Sequence, residues 1–393
     1  MKKVVYVSDI DIGMPNNANS VHVANMARLF DKAGFKVDAI CERPKDERLL
    51  ENTKYIQYNY MSPIPGKGKI RGLNWKINAL LGFHSIKETK RILSEIHPDY
   101  VIIHEANSLL YAQSVTNLGK KLGYKVIIET TEWMEVGKER TALYNCIIRQ
   151  KDYSRKKLDR KCGNIIAISE YLENYYKAQG CNVIRIPPLF PNMNANRQIE
   201  RSHKETNEAK LKLVFAGTLS SKDFLEPVLH TLLRINKDSI QIVFDVIGPE
   251  ENDIKKRIQV DDLGKYGIYC HGRIAHEEVL EIVRKADFSV LFRKNQRYAK
   301  AGVSTKFCEA MCEGVPSICT SVGGTDRFVQ DGRNGILIDD NEEETIENAL
   351  RKLIKMDDRK ITEMKKNAYQ TALENFSIDK YVISLQKFVE KCK

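Results

Sequence analysis

Two cations and a carboxylate near residue 300 give the strongest chemical signal in the chain. Arg293 and Lys306 flank a polar loop that also carries Lys294, Arg297 and Lys300, and Glu309 follows Lys306 by one helical turn. Ser304 or Thr305 is placed to cap a helix beginning Thr305-Lys306-Phe307-Cys308-Glu309. A lysine in a first helical turn opposes the helix dipole, but it makes sense beside a bound anion. The pattern fits a diphosphate held by Arg293, Lys306 and the free amide groups at the helix start. Glu309 stands at the depth where a carboxylate can accept hydrogen bonds from a ribose diol. The competing reading is a solvated pair of charges three residues apart, with no chemical consequence.

The loop needs a strand before it and a helix after it, and the surrounding sequence supplies both repeatedly. In the first half, Lys3–Ser8, Lys36–Cys41, Tyr100–His104, Lys125–Thr130, Asn164–Ser169 and Asn182–Ile186 read as short buried strands rich in Val and Ile. Helical periodicity fills the gaps, over Val21–Ala33, Ile86–Ile96, Leu109–Leu122 and Glu170–Gln179. Pro187, Pro188 and Pro191 interrupt the pattern, and the polar stretch to Lys210 reads as a linker. Alternation then resumes with strands at Leu211–Ala216, Ile240–Ile247, Gly267–His271, Phe288–Phe292, Ser317–Thr320 and Gly335–Ile338. Repeated βα units predict parallel sheets and an α/β fold of two doubly wound domains, with ligands at the carboxyl ends of the strands. The expected division is 1–190, a linker over 191–210, and 211–377. A helix over 378–393 is a candidate to complete the first domain.

Composition narrows the classes. With 393 residues, 42% hydrophobic and 29% charged, each half can bury its own core. The amino-terminal apolar run stops at Val7 before Asp9 and Asp11, so it reads as a strand and not as a signal peptide. Nine cysteines include no CxxC pair and no partnered metal cluster, which fits reduced thiols in a cytoplasm. A net charge of +11 favours an anionic partner of some kind. Part of it lies in two basic stretches. Lys67, Lys69, Arg71 and Lys76 surround Ile70, Leu73 and Trp75, and a second run of basic residues spans Lys138–Lys161. A basic stretch bearing a tryptophan suits an anionic membrane surface, and its alternative is a solvated loop.

Further marks follow the Lys306 helix. They are Glu309-Ala310-Met311-Cys312-Glu313-Gly314-Val315-Pro316, then Val322-Gly323-Gly324, then Asp331-Gly332-Arg333-Asn334-Gly335. In this order and spacing the chain strongly resembles the retaining GT-B glycosyltransferases of family 4 type, which include bacterial capsule, exopolysaccharide and lipopolysaccharide enzymes. Ile166–Leu172, Ile186–Pro188, Val214–Gly217 and Pro98–His104 extend the likeness over nearly the whole chain. The resemblance implies a GT-B fold, two Rossmann-like domains facing each other across a cleft. It also implies transfer from a nucleoside-diphosphate sugar to a saccharide or lipid-linked acceptor.

Carried onto this sequence, the resemblance gives residues roles. His104 would touch the donor sugar or the acceptor. Lys222, Arg293 and Lys306 would stabilise the leaving diphosphate, together with the helix start at Ser304 and Thr305. Gly217 opens the nucleotide-binding domain, Arg273 and Ile274 flank the base, and Glu309 holds the ribose. Gly13, Asn19 and Ser20 would form the first domain's wall, and Glu129 to Trp133 the acceptor side. The family usually pairs Glu309 with a second glutamate eight residues earlier, and Ala301 stands there instead. Its usual arginine after Gly217 is replaced by Thr218. No Asp-x-Asp motif stands in a plausible place, so basic groups are expected to replace a metal ion, and no other cofactor is expected. Rival readings are a sugar-nucleotide epimerase and a non-catalytic nucleotide-sugar-binding subunit. No recognised module supports a nucleic-acid partner.

Overall fold

In the computed structural model of the chain, runs such as Val4–Val7 and Tyr100–His104 are buried at every position. That is what parallel strands covered by helices on both faces require. The structure describes residues 1–8, 18–42, 53–138, 140–191, 193–201, 209–219 and 222–392. They form two units, Met1–Pro191 with Ile378–Lys393, and Asn192–Ser377.

The first unit is built on seven parallel strands: β1 (Lys3–Val7), β2 (Lys36–Cys41), β3 (Ile56–Tyr60), β4 (Tyr100–His104), β5 (Lys125–Thr130), β6 (Asn164–Ala167) and β7 (Asn182–Arg185). Their order is β3-β2-β1-β4-β5-β6-β7, so the chain reverses direction across the sheet between β1 and β4. The amphipathic helix Ala18–Lys32 covers one face through Met26, Leu29 and Phe30. The C-terminal helix Val382–Glu390 returns to the same core and buries Leu385, Phe388 and Val389.

The second unit has six parallel strands: β8 (Leu211–Ala216), β9 (Ile242–Ile247), β10 (Ile268–Gly272), β11 (Phe288–Leu291), β12 (Ser317–Thr320) and β13 (Ile336–Ile338). The order β10-β9-β8-β11-β12-β13 places the reversal between β8 and β11. Crevices that receive ligands open at such reversals. The stretch expected to be a linker is partly anchored in this unit. Arg201 is buried and its guanidinium grips Asp287 at 2.6 and 2.8 Å.

Three elements differ from the expectation. Strand β3, Ile-Gln-Tyr-Asn-Tyr, is a half-buried edge strand whose polar residues hide it from an apolar count. Residues Gly68–Leu81, which carry the basic tryptophan-bearing stretch, form a helix outside those expected from periodicity. The loop after Phe292 contains a short helix, Arg297–Ala301. Among the described residues no helix is long and apolar enough to cross a membrane.

Candidate functional site

The carboxyl ends of β8 and β11, on either side of the second reversal, hold the cations singled out from the sequence. Arg293 follows β11, and its backbone N–H donates to Thr320 Oγ1 at 3.0 Å. Lys306 lies in the first turn of the helix Thr305–Cys312, whose cap is the buried Ser304 hydroxyl accepting from Phe307 N. Lys222 leads the loop before the helix Glu226–Ile235. That loop is fixed by two bonds, Phe224 N–H to Phe292 O at 2.9 Å and Tyr298 O–H to Lys222 O at 3.1 Å.

A residue that the sequence did not single out joins them. Asp223 is buried, accepts from Arg293 Nε at 2.8 Å, and accepts a short hydrogen bond from Lys306 Nζ. Burial alone would raise its pKa, but Arg293 and Lys306 outweigh burial and hold the carboxyl below its usual range. For Lys306 burial dominates and lowers the pKa. Asp223 partly offsets this, while Arg293 and Lys222 add to the fall. The Lys306 ammonium also sits 4.6 Å from the centre of the Phe215 ring. A Cβ at position 217 would stand 2.6 Å from Lys306 Nζ, so a side chain there would push the ammonium out of its place.

Around this centre the other expected residues are spread over neighbouring loops. Glu309 is half-buried one turn beyond Lys306, 3.5 Å from the exposed His276 ring. Burial raises its pKa and His276 opposes the rise. Thr305 and Arg273 are exposed, and Ile274 packs on the apolar cluster around Val214 and Ala310. Ala301, where the family carries a glutamate, is wholly buried at the end of its short helix. Close packing explains Gly323, where a Cβ would meet Ala299 O at 2.3 Å, and a left-handed φ of 77° explains Gly324. Asn334 is architectural, since its side chain bridges Gln330, Phe328 and Thr371 with bonds of 2.7 to 2.8 Å.

In the first unit, His104 ends β4 beside the reversal, and Ser8 Oγ after β1 donates to its carbonyl at 2.7 Å. Its side chain is wholly buried. Nδ1 lies 2.6 Å from Glu129 Oε2, and His22 Nε2 lies 3.2 Å from Glu129 Oε1. The two imidazoles stack at 5.6 Å. Burial would raise the Glu129 pKa, but the two histidines bring it down to about 2. Ligand atoms of His22, His104 and Glu129 lie within 4.8 Å of one another, so this trio has the donor types and proximity to hold a metal ion. His104 Nε2 has no hydrogen-bond partner among the described residues. Ser20 is buried nearby in sequence, Asn19 belongs to the same helix, and Gly13 lies outside the described residues.

The loops after β4 and β5 are structural in large part. Glu105 has a positive φ of 43°, a costly conformation for a side chain with a Cβ. It is fixed by bonds from Arg155 at 2.9 Å, Lys151 at 3.1 Å and Thr131 N–H at 2.7 Å. Trp133 is buried, with Nε1 on Asp152 at 2.9 Å. The basic run Lys138–Lys161 is thus partly internal.

Replacing Glu129 with Gln should cost about 1–3 kcal/mol of stability at pH 7, since the amide loses the negative charge and turns an NH2 donor toward one of the two rings. The Glu129 pKa is depressed on folding, so its contribution is present above the ordinary carboxylate value of 4.5 and lost as pH falls toward about 2. The stability gap in urea between wild type and Glu129→Gln should therefore narrow over that range. Equal stability at pH 7 would show that the histidines do not depend on the carboxylate.

Residues 12–147 match the family described as Glycosyl transferase 4-like, and residues 196–371 match Glycosyl transferases group 1. An uncharacterised glycosyltransferase of Methanocaldococcus jannaschii is 28% identical over 242 residues, and the match spans 60% of this chain and 60% of that relative's length. Among solved structures, sucrose-phosphate synthase of Thermosynechococcus elongatus aligns with a TM-score of 0.73 at 13% identity, over 100% of this chain and 99% of that one. HepE of Anabaena, solved in complex with UDP, aligns at 0.65 with 14% identity, over 99% and 100%. The first match falls within the first unit and the second within the second, and the chain has the two-sheet α/β fold of the GT-B glycosyltransferase structures.

Proposed function

We propose that this protein is a retaining, metal-independent glycosyltransferase that moves a sugar from a nucleoside-diphosphate sugar to a saccharide or lipid-linked acceptor, in surface polysaccharide synthesis. The observation that carries the reading is the cluster of Lys222, Arg293 and Lys306 beside the amino end of a capped helix, at the reversal between β8 and β11. As the sugar C1–O bond breaks, negative charge grows on the diphosphate. Preorganised cations and amide dipoles stabilise that charge without reorganising. Glu309 is the acceptor for the ribose hydroxyls, and the UDP bound to HepE is the kind of ligand this crevice would take.

Ala301 favours one second reading, a nucleotide-sugar-binding subunit without turnover, because a buried alanine cannot bond to a donor sugar as a glutamate would. Turnover separates the two. A panel of sugar nucleotides, tested with saccharide and lipid-linked acceptors in the presence of chelator, should give a glycoside with the donor's anomeric configuration. Lys306→Ala and Arg293→Ala should each lower kcat about 100- to 1,000-fold and raise donor KM only modestly, since both act on charge that develops in the transition state. Near wild-type turnover in both variants would refute the assignment. A glycoside of inverted configuration, or activity lost to chelator and restored by magnesium, would refute the retaining or the metal-independent part.

An anionic membrane surface at the inner face of the membrane, where lipid-linked acceptors reside, fits the helix Gly68–Leu81. Ile70, Leu73 and Trp75 are 64%, 58% and 56% exposed there, among Lys67, Lys69, Arg71 and Lys76. Apolar side chains with basic neighbours suit the boundary between headgroups and acyl chains. The protein should pellet with vesicles containing phosphatidylserine, and neutralising Lys67, Lys69 and Arg71 together should abolish pelleting. Undiminished pelleting of the triple variant would exclude this helix.

A further inference from the structure

Asp223 is the one carboxylate bonded to the cations of the second unit's crevice among the described residues, and the transfer chemistry alone gives it no task. We propose that Asp223 is a positioning residue, whose charge holds the Lys306 ammonium and the Arg293 guanidinium ready for an incoming diphosphate. This rests on reading the crevice as a diphosphate site.

The hydrogen-bond pattern supports it. Arg293 meets Asp223 through Nε, which leaves its two Nη groups uncommitted to Asp223. Lys306 spends one proton of its ammonium on Asp223 and keeps two. Lys306 and Arg293 carry two positive charges against the one carboxylate they share, so an anion is still attracted after Asp223 is counted. The loop that carries Asp223 is pinned independently through Phe224 N–H and Lys222 O, so the carboxylate is not needed to hold the backbone.

Charge, and not shape alone, is what Asp223 supplies. The groups acting on Lys306 are Asp223 and Lys222 from one loop and Arg293 from the end of β11, while β8 presents Phe215 and Gly217, which carry no charge. Burial, Arg293 and Lys222 all favour neutral Lys306, and Asp223 alone opposes them. Without that charge the lysine gives up its proton at a lower pH. A neutral amine no longer attracts phosphate oxygens, so binding should fail earlier as pH rises.

The test is calorimetric titration of inorganic pyrophosphate into the full chain at pH 7 and pH 9. Wild type should bind at both. Asp223→Asn should bind like wild type at pH 7 and about tenfold more weakly than wild type at pH 9, since free pyrophosphate carries the charge that the leaving group gains in the reaction and the intact donor lacks. Combining Asp223→Asn with Lys306→Arg should remove that pH dependence, because a guanidinium keeps its proton. Asp223→Glu, which retains the charge, should bind more like wild type at pH 9 than Asp223→Asn does. Thermal unfolding of each variant checks that the unit remains folded. If Asp223→Asn and wild type share one pH profile, the proposal falls while the diphosphate reading stands. If wild type binds no pyrophosphate at either pH, both fall.

Discussion

A lysine and an arginine held within reach of one another in a half-buried crevice repel, and in this protein the counter-charge that offsets the repulsion is Asp223. Its carboxylate receives Arg293 from the end of β11 and Lys306 from the start of the helix Thr305–Cys312. Several local features become intelligible from that arrangement. A side chain at Gly217 would displace Lys306 Nζ from the place it holds. Ser304 caps the helix, so the lysine's position is set by backbone geometry as well as by charge. The loop of Lys222 and Asp223 is tied to β11 by a main-chain bond and to the short helix Arg297–Ala301 by the Tyr298 hydroxyl. An anion arriving there meets donors that are already aimed.

The first unit shows the same economy at its own reversal. Glu129 lies between two imidazoles, and it is ionised there because they offset the cost of burying it. Glu105 stands next to His104 in a strained backbone conformation and is over-determined by Arg155, Lys151 and the Thr131 amide. Strain of this kind persists only where surrounding bonds enforce it. The ends of β4 and β5 are therefore rigid, and the histidine at their margin has a fixed orientation.

Much of this was legible from local sequence. Buried parallel strands announce themselves as Val and Ile runs, and the strand, basic loop and capped helix around Arg293 to Glu309 follow from residue types alone. The missing parts are those that depend on distant partners or on weak local patterns. Asp223 is separated from Arg293 by 70 positions and from Lys306 by 83, and nothing near it marks it as their partner. His22 lies 107 positions from Glu129, in a helix whose pattern reads as ordinary packing. Strand β3 sits at a sheet edge with polar residues, and the helix Arg297–Ala301 is too short for periodicity to show. The basic run Lys138–Lys161 looked like one surface, but Arg155 and Lys151 point inward to Glu105 because its carboxylate is buried there. Asn334 carries a family mark for a reason the sequence does not display, since it closes a turn onto Thr371.

The central claim is that the crevice between β8 and β11 receives a nucleoside diphosphate through Lys306 and Arg293. The most direct measurement is a crystal structure of the protein grown with a nucleoside diphosphate. The account predicts phosphate oxygens within hydrogen-bond distance of Lys306 Nζ and the Arg293 guanidinium, with the ribose hydroxyls on Glu309. A nucleotide bound elsewhere, with Lys306 and Arg293 making no contact to it, would contradict the account.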